Sequence, residues 1–115
     1  MSYDIHITRK NHWADDNDSV ITGSEWKELA DNDPEIEITG VAEAKTADGK
    51  TTIRMEKELL GQWKKSPDDA PIYFVYSDKE GGLLVSDPDK DAINKMKEIA
   101  IRLNAKVQGD DGEVY

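Results

Sequence analysis

PIYFVYSDKEGGLLVSDPDKDAINKMKEIAIRL, Pro71 to Leu103, decides the fold, because within this one run the spacing of apolar residues changes from that of strands to that of a helix. Ile72 to Tyr76 is the most apolar run in the chain, and its aromatic and β-branched content suits a central strand. The turn-forming SDKEGG returns the chain into GLLVSD, which makes a hairpin. Asp87-Pro88 then opens a helix: Asp87 caps it, Pro88 takes the first helical position, and Asp89 favours the positive end of the dipole. Ala92, Ile93, Met96, Ile99, Ala100 and Leu103 form one apolar stripe, with Asn94, Lys95, Lys97, Glu98 and Arg102 off it. A hairpin followed by a helix with one apolar face predicts that the helix packs on an antiparallel sheet.

The flanking sequence extends this pattern. Tyr3, Ile5 and Ile7 alternate with Asp4, His6 and Thr8, the period of a half-buried strand. A loop rich in Asp, Asn, Ser and Gly follows, from Asn11 to Gly23. Thr22-Gly23-Ser24-Glu25 fits a capping box, with Trp26, Leu29 and Ala30 on one helical face, and Asp33-Pro34 ends that helix. Ile36 and Ile38 alternate again, and strand character continues through Val41. Asp48-Gly49 predicts a type I′ turn into TTIRMEK. In ELLGQWKKSPDDAP, Leu59, Leu60 and Trp63 fit one helical turn, so residues 58–70 are read as a short helix or an irregular segment over the core. After the last helix, Asn104 is a left-handed stop and Lys106 to Tyr115 forms a terminal hairpin, with Asp111-Gly112 as a type I′ pair and Gln108 facing Tyr115. The expectation is a single α+β domain over residues 1–115: a mainly antiparallel sheet of about five to six strands, with two helices packed on it.

Bulk composition narrows the function classes. A chain of 115 residues buries roughly two-thirds of its unfolded surface on folding, enough for one core. The absence of cysteine removes disulfides, thiolate nucleophiles and sulfur-ligated metals. The start MSYDIHITRK lacks the basic opening and apolar run of a secretory signal, and no stretch approaches the roughly 18 apolar residues of a membrane span, so a cytoplasmic protein is expected. The net charge of −10, from 25 Asp+Glu against 15 Lys+Arg, repels phosphate backbones and anionic lipid. A basic protein partner suits that field better than nucleic acid or membrane.

Catalytic patterns are thin. His6 and His12, with Lys10, contain the groups of a metal-independent ribonuclease, but the acidic field opposes an RNA substrate, and one strand histidine and one loop histidine is the simpler reading. A calcium loop begun at Asp15 puts Val20 where a glycine and Trp26 where a glutamate are required. Neither G-x-S-x-G nor a phosphate-binding glycine loop occurs. Asp110, Asp111 and Glu113 are close in sequence without making a full cation ligand set. No cofactor is expected. Each tryptophan is first of all a core or core-edge residue, and Trp13, beside the acidic loop, is the one expected at the surface.

The two ends, Ser2-Tyr3-Asp4 with Ile7-Thr8-Arg9 and Trp13 at the start and Val107-Gln108-Gly109-Asp110-Asp111-Gly112-Glu113 with Tyr115 at the finish, resemble a group of small bacterial proteins. Some proteins with similar endings resemble immunity proteins of polymorphic toxin systems. The resemblance implies a non-enzymatic, protein-binding role in which an acidic face blocks a basic toxin domain. The residues expected to carry it are Asp15, Asp16 and Asp18, with Trp13 beside them, and Asp31, Asp33 and Glu35 around the end of the first helix. The alternative is a small enzyme or ligand-binding domain with a pocket between the sheet and the last helix.

Overall fold

Alternation along the first strand puts Ile5 and Ile7 on one side and His6 on the other, and the architecture is built on that division. The computed structural model describes residues 3–63 and 71–115. In chain order its elements are β1 (Asp4–Thr8), α1 (Gly23–Asp31), β2 (Ile36–Ile38), β3 (Val41–Lys45), β4 (Thr52–Glu56), β5 (Gly61–Trp63), β6 (Ile72–Ser77), β7 (Gly82–Ser86), α2 (Lys90–Arg102) and β8 (Lys106–Gly109). Among the described residues six strands form one antiparallel sheet in the order β2-β5-β6-β7-β1-β8, while β3 and β4 form a separate two-stranded sheet. The chain therefore adopts the expected α+β class. No helix among the described residues is long and apolar enough to cross a membrane.

Register fixes which side chains share a face. Val107, Ile7, Leu83 and Tyr76 stand in one row across β8, β1, β7 and β6. All four are buried in one cluster with Trp26 and Leu29 of α1 and with Ala92, Met96 and Ile99 of α2. Each fully buried side chain of this size contributes about 1.5–3 kcal/mol relative to an exposed one. Packed side chains thus fill the space between the sheet and α2. One register position away, Gln108, His6, Leu84 and Val75 form the corresponding row on the opposite face.

The first helix starts as its sequence predicts. Thr22 Oγ1 accepts from the Glu25 amide at 3.2 Å, and Glu25 Oε1 accepts from the Thr22 amide at 3.2 Å, closing the capping box. Arg9 also reaches the Glu25 carboxylate, through Nη1 at 2.9 Å, and donates to the carbonyls of Val20 and Leu103. The Arg9 guanidinium and the Thr22 amide hold the Glu25 carboxyl down to about 2. One arginine therefore ties the end of β1 to the start of α1 and the end of α2.

The second helix starts later than predicted. Asp89, not Asp87, is its cap, accepting from the Ala92 amide at 2.8 Å. Asp87 instead exchanges bonds with Tyr3 beside β1, its amide donating to the Tyr3 carbonyl at 2.9 Å and its Oδ1 accepting from the Tyr3 amide at 2.7 Å, with φ at +47°. Sheet pairing holds Asp87 out of the helix. Asn104 stops α2 in the left-handed region, as expected, at φ +53°.

The largest correction falls at residues 61–63, which form strand β5 between β2 and β6 rather than a helical turn or an irregular cover. A Cβ on Gly61 would lie 2.6 Å from Cζ2 of the fully buried Trp26, so the missing side chain is what lets the indole of α1 lie against the sheet. Residues 64–70 of that stretch lie outside the described residues.

Both Asp-Gly pairs make turns of another type. Gly49 N donates to Thr46 O at 2.9 Å and Gly112 N to Gly109 O at 3.0 Å, which makes each glycine the fourth turn residue, at φ +71° and +89°. Neither Asp48 nor Asp111 has the positive φ that a type I′ turn demands. The extra left-handed residue shifts the terminal register by one, so Gln108 faces Val114 and not Tyr115.

Candidate functional site

His6 stands in the middle of the second-face row, where a buried imidazole needs a cover. The loop after β1 folds back and lays Trp13 flat on it, ring centroids 4.0 Å apart and planes 4° from parallel. Three hydrogen bonds fix that cover: Trp13 N to Gln108 Oε1 at 2.7 Å, Trp13 Nε1 to the Asp110 carbonyl at 3.1 Å, and Gln108 Nε2 to the Asn11 carbonyl at 3.0 Å. Trp13, expected at the surface, is half-buried, and His6, expected on a strand surface, is only 3% exposed. The loop was legible as a loop; its return over β1 depends on Gln108 and Asp110, nearly a hundred residues away.

Carboxylates flank the imidazole on both sides. Nε2 donates to Asp110 Oδ1 at 2.8 Å, since an ionised carboxylate can only accept. Among the described residues Nδ1 has no hydrogen-bond partner, and Glu80 Oε2 lies 3.7 Å from it. Asp110 also accepts from the Asp4 amide at 3.0 Å. Burial pushes the Asp110 carboxyl up, but the bonds from His6 and Asp4 more than offset this and leave it below its ordinary value.

Residues from the two chain ends meet at this point. Tyr3 donates to Glu113, and the acceptance of that bond pushes the Tyr3 phenol up to about 12. A Cβ on Gly109 would lie 2.2 Å from the Glu113 carboxylate, so the glycine makes room for that pairing. The carboxylates of Asp110 and Glu113 are thus engaged in joining the ends. Among the described residues no group of three or more potential metal ligands converges.

Beside this joint a cleft of about 450 Å³ opens between the Trp13 loop and the β6–β7 turn, lined by Lys10, Trp13, Asp15, Asp16, Lys79 and Glu80. Lys10 continues the His6 side of β1 and is 4% exposed, with Nζ donating to the Asp15 carbonyl at 2.6 Å. The His12 amide donates to Asp15 Oδ2 at 3.1 Å and the Asp15 amide to the His12 carbonyl at 2.9 Å, so the loop is folded on itself before anything binds. Asp16 and Asp18 are exposed next to it.

The seven residues expected to bind a partner therefore fall into two groups. Trp13, Asp15, Asp16 and Asp18 share the loop over the second face. Asp31, Asp33 and Glu35 belong to the helix side, where Asp33 is buried and binds Lys95 Nζ at 3.0 Å and Arg102 Nη1 at 3.1 Å. Glu35 Oε1 accepts from the same Lys95 at 2.6 Å, and Asp31 pairs with Lys27 at 3.4 Å. Lys95, placed by sequence on the polar side of α2, is 4% exposed because these carboxylates draw its ammonium inward. Lys10 and Asp110 stood out in the sequence only for other chemistry, as a ribonuclease cation and a cation ligand, and Glu80 did not stand out at all. The alternation of β1, continued past Thr8, puts Lys10 on the His6 side.

No family model, curated protein or solved structure matches this chain.

Proposed function

We propose that the protein is a non-enzymatic binding module that takes a basic protein partner on the Trp13 loop, a toxin domain blocked by an acidic face being the partner class suggested by the resemblance of its ends. The observation that carries this reading is the fixing of Trp13: it is stacked at 4.0 Å on a buried ring and hydrogen-bonded through both its amide and its indole, yet it lines an open cleft edged by Asp15, Asp16 and Glu80. A large side chain ordered before binding costs little entropy on association, and carboxylates around it steer a basic partner and exclude acidic ones. The net charge of −10 adds long-range attraction of the same sign. Asp31 and Glu35 are engaged with lysines and contribute less to this reading, and Asp33 is internal.

The test is charge reversal with the basic protein recovered from the source organism. Asp16→Lys with Asp18→Lys should slow association about tenfold or more at low salt, with the difference shrinking as screening shortens the field. Trp13→Ala should instead speed dissociation. Unchanged binding at low salt in both variants would refute the placement of the interface.

A further inference from the structure

The cleft holds opposite charges that do not pair with each other. Lys10 and Lys79 share its walls with Asp15, Asp16 and Glu80, yet among the described residues no ion pair within 4.0 Å joins either lysine to any of these carboxylates. Lys10 is a buried ammonium whose one acceptor among the described residues is the Asp15 carbonyl, so two of its three N–H donors are uncommitted. Lys10 lines the cleft, so a group entering it can reach those donors. Glu80, which lines the cleft, also lies 3.7 Å from the buried Nδ1 of His6, which has no hydrogen-bond partner among the described residues.

From these groups, and resting on the binding-face reading above, we infer that the cleft receives a basic side chain of the partner together with the main-chain carbonyl beside it. The cation lies against Asp16 and Glu80. The carbonyl takes the uncommitted donors of Lys10 at the floor. A peptide-borne arginine supplies both groups a few ångströms apart, and its planar guanidinium can bridge two carboxylates. An acidic side chain satisfies Lys10 but meets Asp15, Asp16 and Glu80; an apolar one leaves every charge unmet. Lys10 thereby selects a cation carried on a peptide over a free cation.

The probe is N-acetyl-arginine methylamide, titrated into the full chain and followed by amide and indole NMR shifts, with N-acetyl-norleucine methylamide as control. Shifts are expected at the Trp13 indole and at residues 14–16, 79 and 80 with the arginine probe, and not with the control. Asp16→Asn combined with Glu80→Gln should weaken probe binding about tenfold. Lys10→Met should weaken it several-fold and also abolish the preference for the blocked arginine over methylguanidinium. If Lys10→Met lowers the melting temperature, the rim variant alone decides. Probe shifts that miss the Trp13 indole, or affinities unchanged in the rim variant, overturn the inference. That outcome is distinct from failure of the binding face, which the charge-reversal kinetics with the whole partner report separately.

Discussion

Replacing Lys95 by methionine tests whether the ion cluster under α2 is a structural device or an incidental surface pairing. The Lys95 and Asp33 side chains are 3% and 5% exposed and meet at 3.0 Å, so removing the ammonium leaves a buried carboxylate behind. Stranding such a group with no compensation costs about 3–5 kcal/mol. Asp33 here keeps the Arg102 guanidinium at 3.1 Å and the Glu35 amide at 2.9 Å, which lowers the expected cost to about 2–3 kcal/mol. For a chain of this length that lowers the melting temperature by about 8–12 °C. Urea unfolding followed by tryptophan fluorescence gives the free energy directly. Adding Asp33→Asn removes the stranded charge, so the double variant should cost at least about 1 kcal/mol less than the sum of the single ones. The pH profile carries an independent sign. Burial raises the Asp33 carboxyl, but the Glu35 amide, Lys95 and Arg102 outweigh it and hold it below its ordinary value. Burial likewise lowers Lys95, and Glu35 and Asp33 outweigh that and raise it. The cluster therefore contributes fully between the unfolded carboxyl value, about 4, and the unfolded lysine value, about 10.4. Its contribution is lost as pH falls through the lower folded value of Asp33 or rises through the higher folded value of Lys95. Single variants that each cost under about 0.5 kcal/mol, add in the double and leave the acid limb unchanged would refute the reasoning.

Two further outcomes follow from close contacts elsewhere. Gly61→Ala puts a methyl group 2.6 Å from Trp26 Cζ2 in a fully buried setting and should destabilise by about 1–3 kcal/mol, measured by the same urea titration; a neutral result would mean that α1 can shift on the sheet. Truncation after Gln108 removes the Asp110 carboxylate from His6, the Asp110 carbonyl from the Trp13 indole and the Tyr115 amide from the Val107 carbonyl. It should lower the melting temperature and make Trp13 accessible to acrylamide quenching, whereas an unchanged melting temperature would show that the terminal turn is not part of the fold.

The parts of the fold that were legible are those in which local pattern and final environment agree. The stripe of α2 and the Ile5 and Ile7 face of β1 state their own burial, because the side chains that define those patterns also fill the core, and the capping box of α1 closes within four residues of sequence. Where the reading departed, a distant group had changed the local answer. Gly61 looks like a helix breaker until Trp26 is known to lie on it. Asp87 looks like a cap until Tyr3 takes both its amide and its carboxylate. Lys95 looks like a solvated lysine until Asp33 and Glu35 arrive from more than fifty residues away.

The candidate site shows the same division more sharply. Trp13 and the acidic loop could be singled out from composition, since a tryptophan among carboxylates is unusual for a solvated turn. What could not be read was that, among the described residues, the second face of the sheet is covered by the Trp13 loop at one end and less buried at the other. Gln108 and Asp110 draw the loop over His6 at the β1–β8 end, while Leu84, Val75 and Tyr73 of the neighbouring strands remain half-buried. That asymmetry makes a cleft lined by both Trp13 and Glu80, and it makes the terminal QGDDGE segment the support of the Trp13 loop as well as a turn. A substitution at Gln108 should then disturb Trp13 without touching any partner.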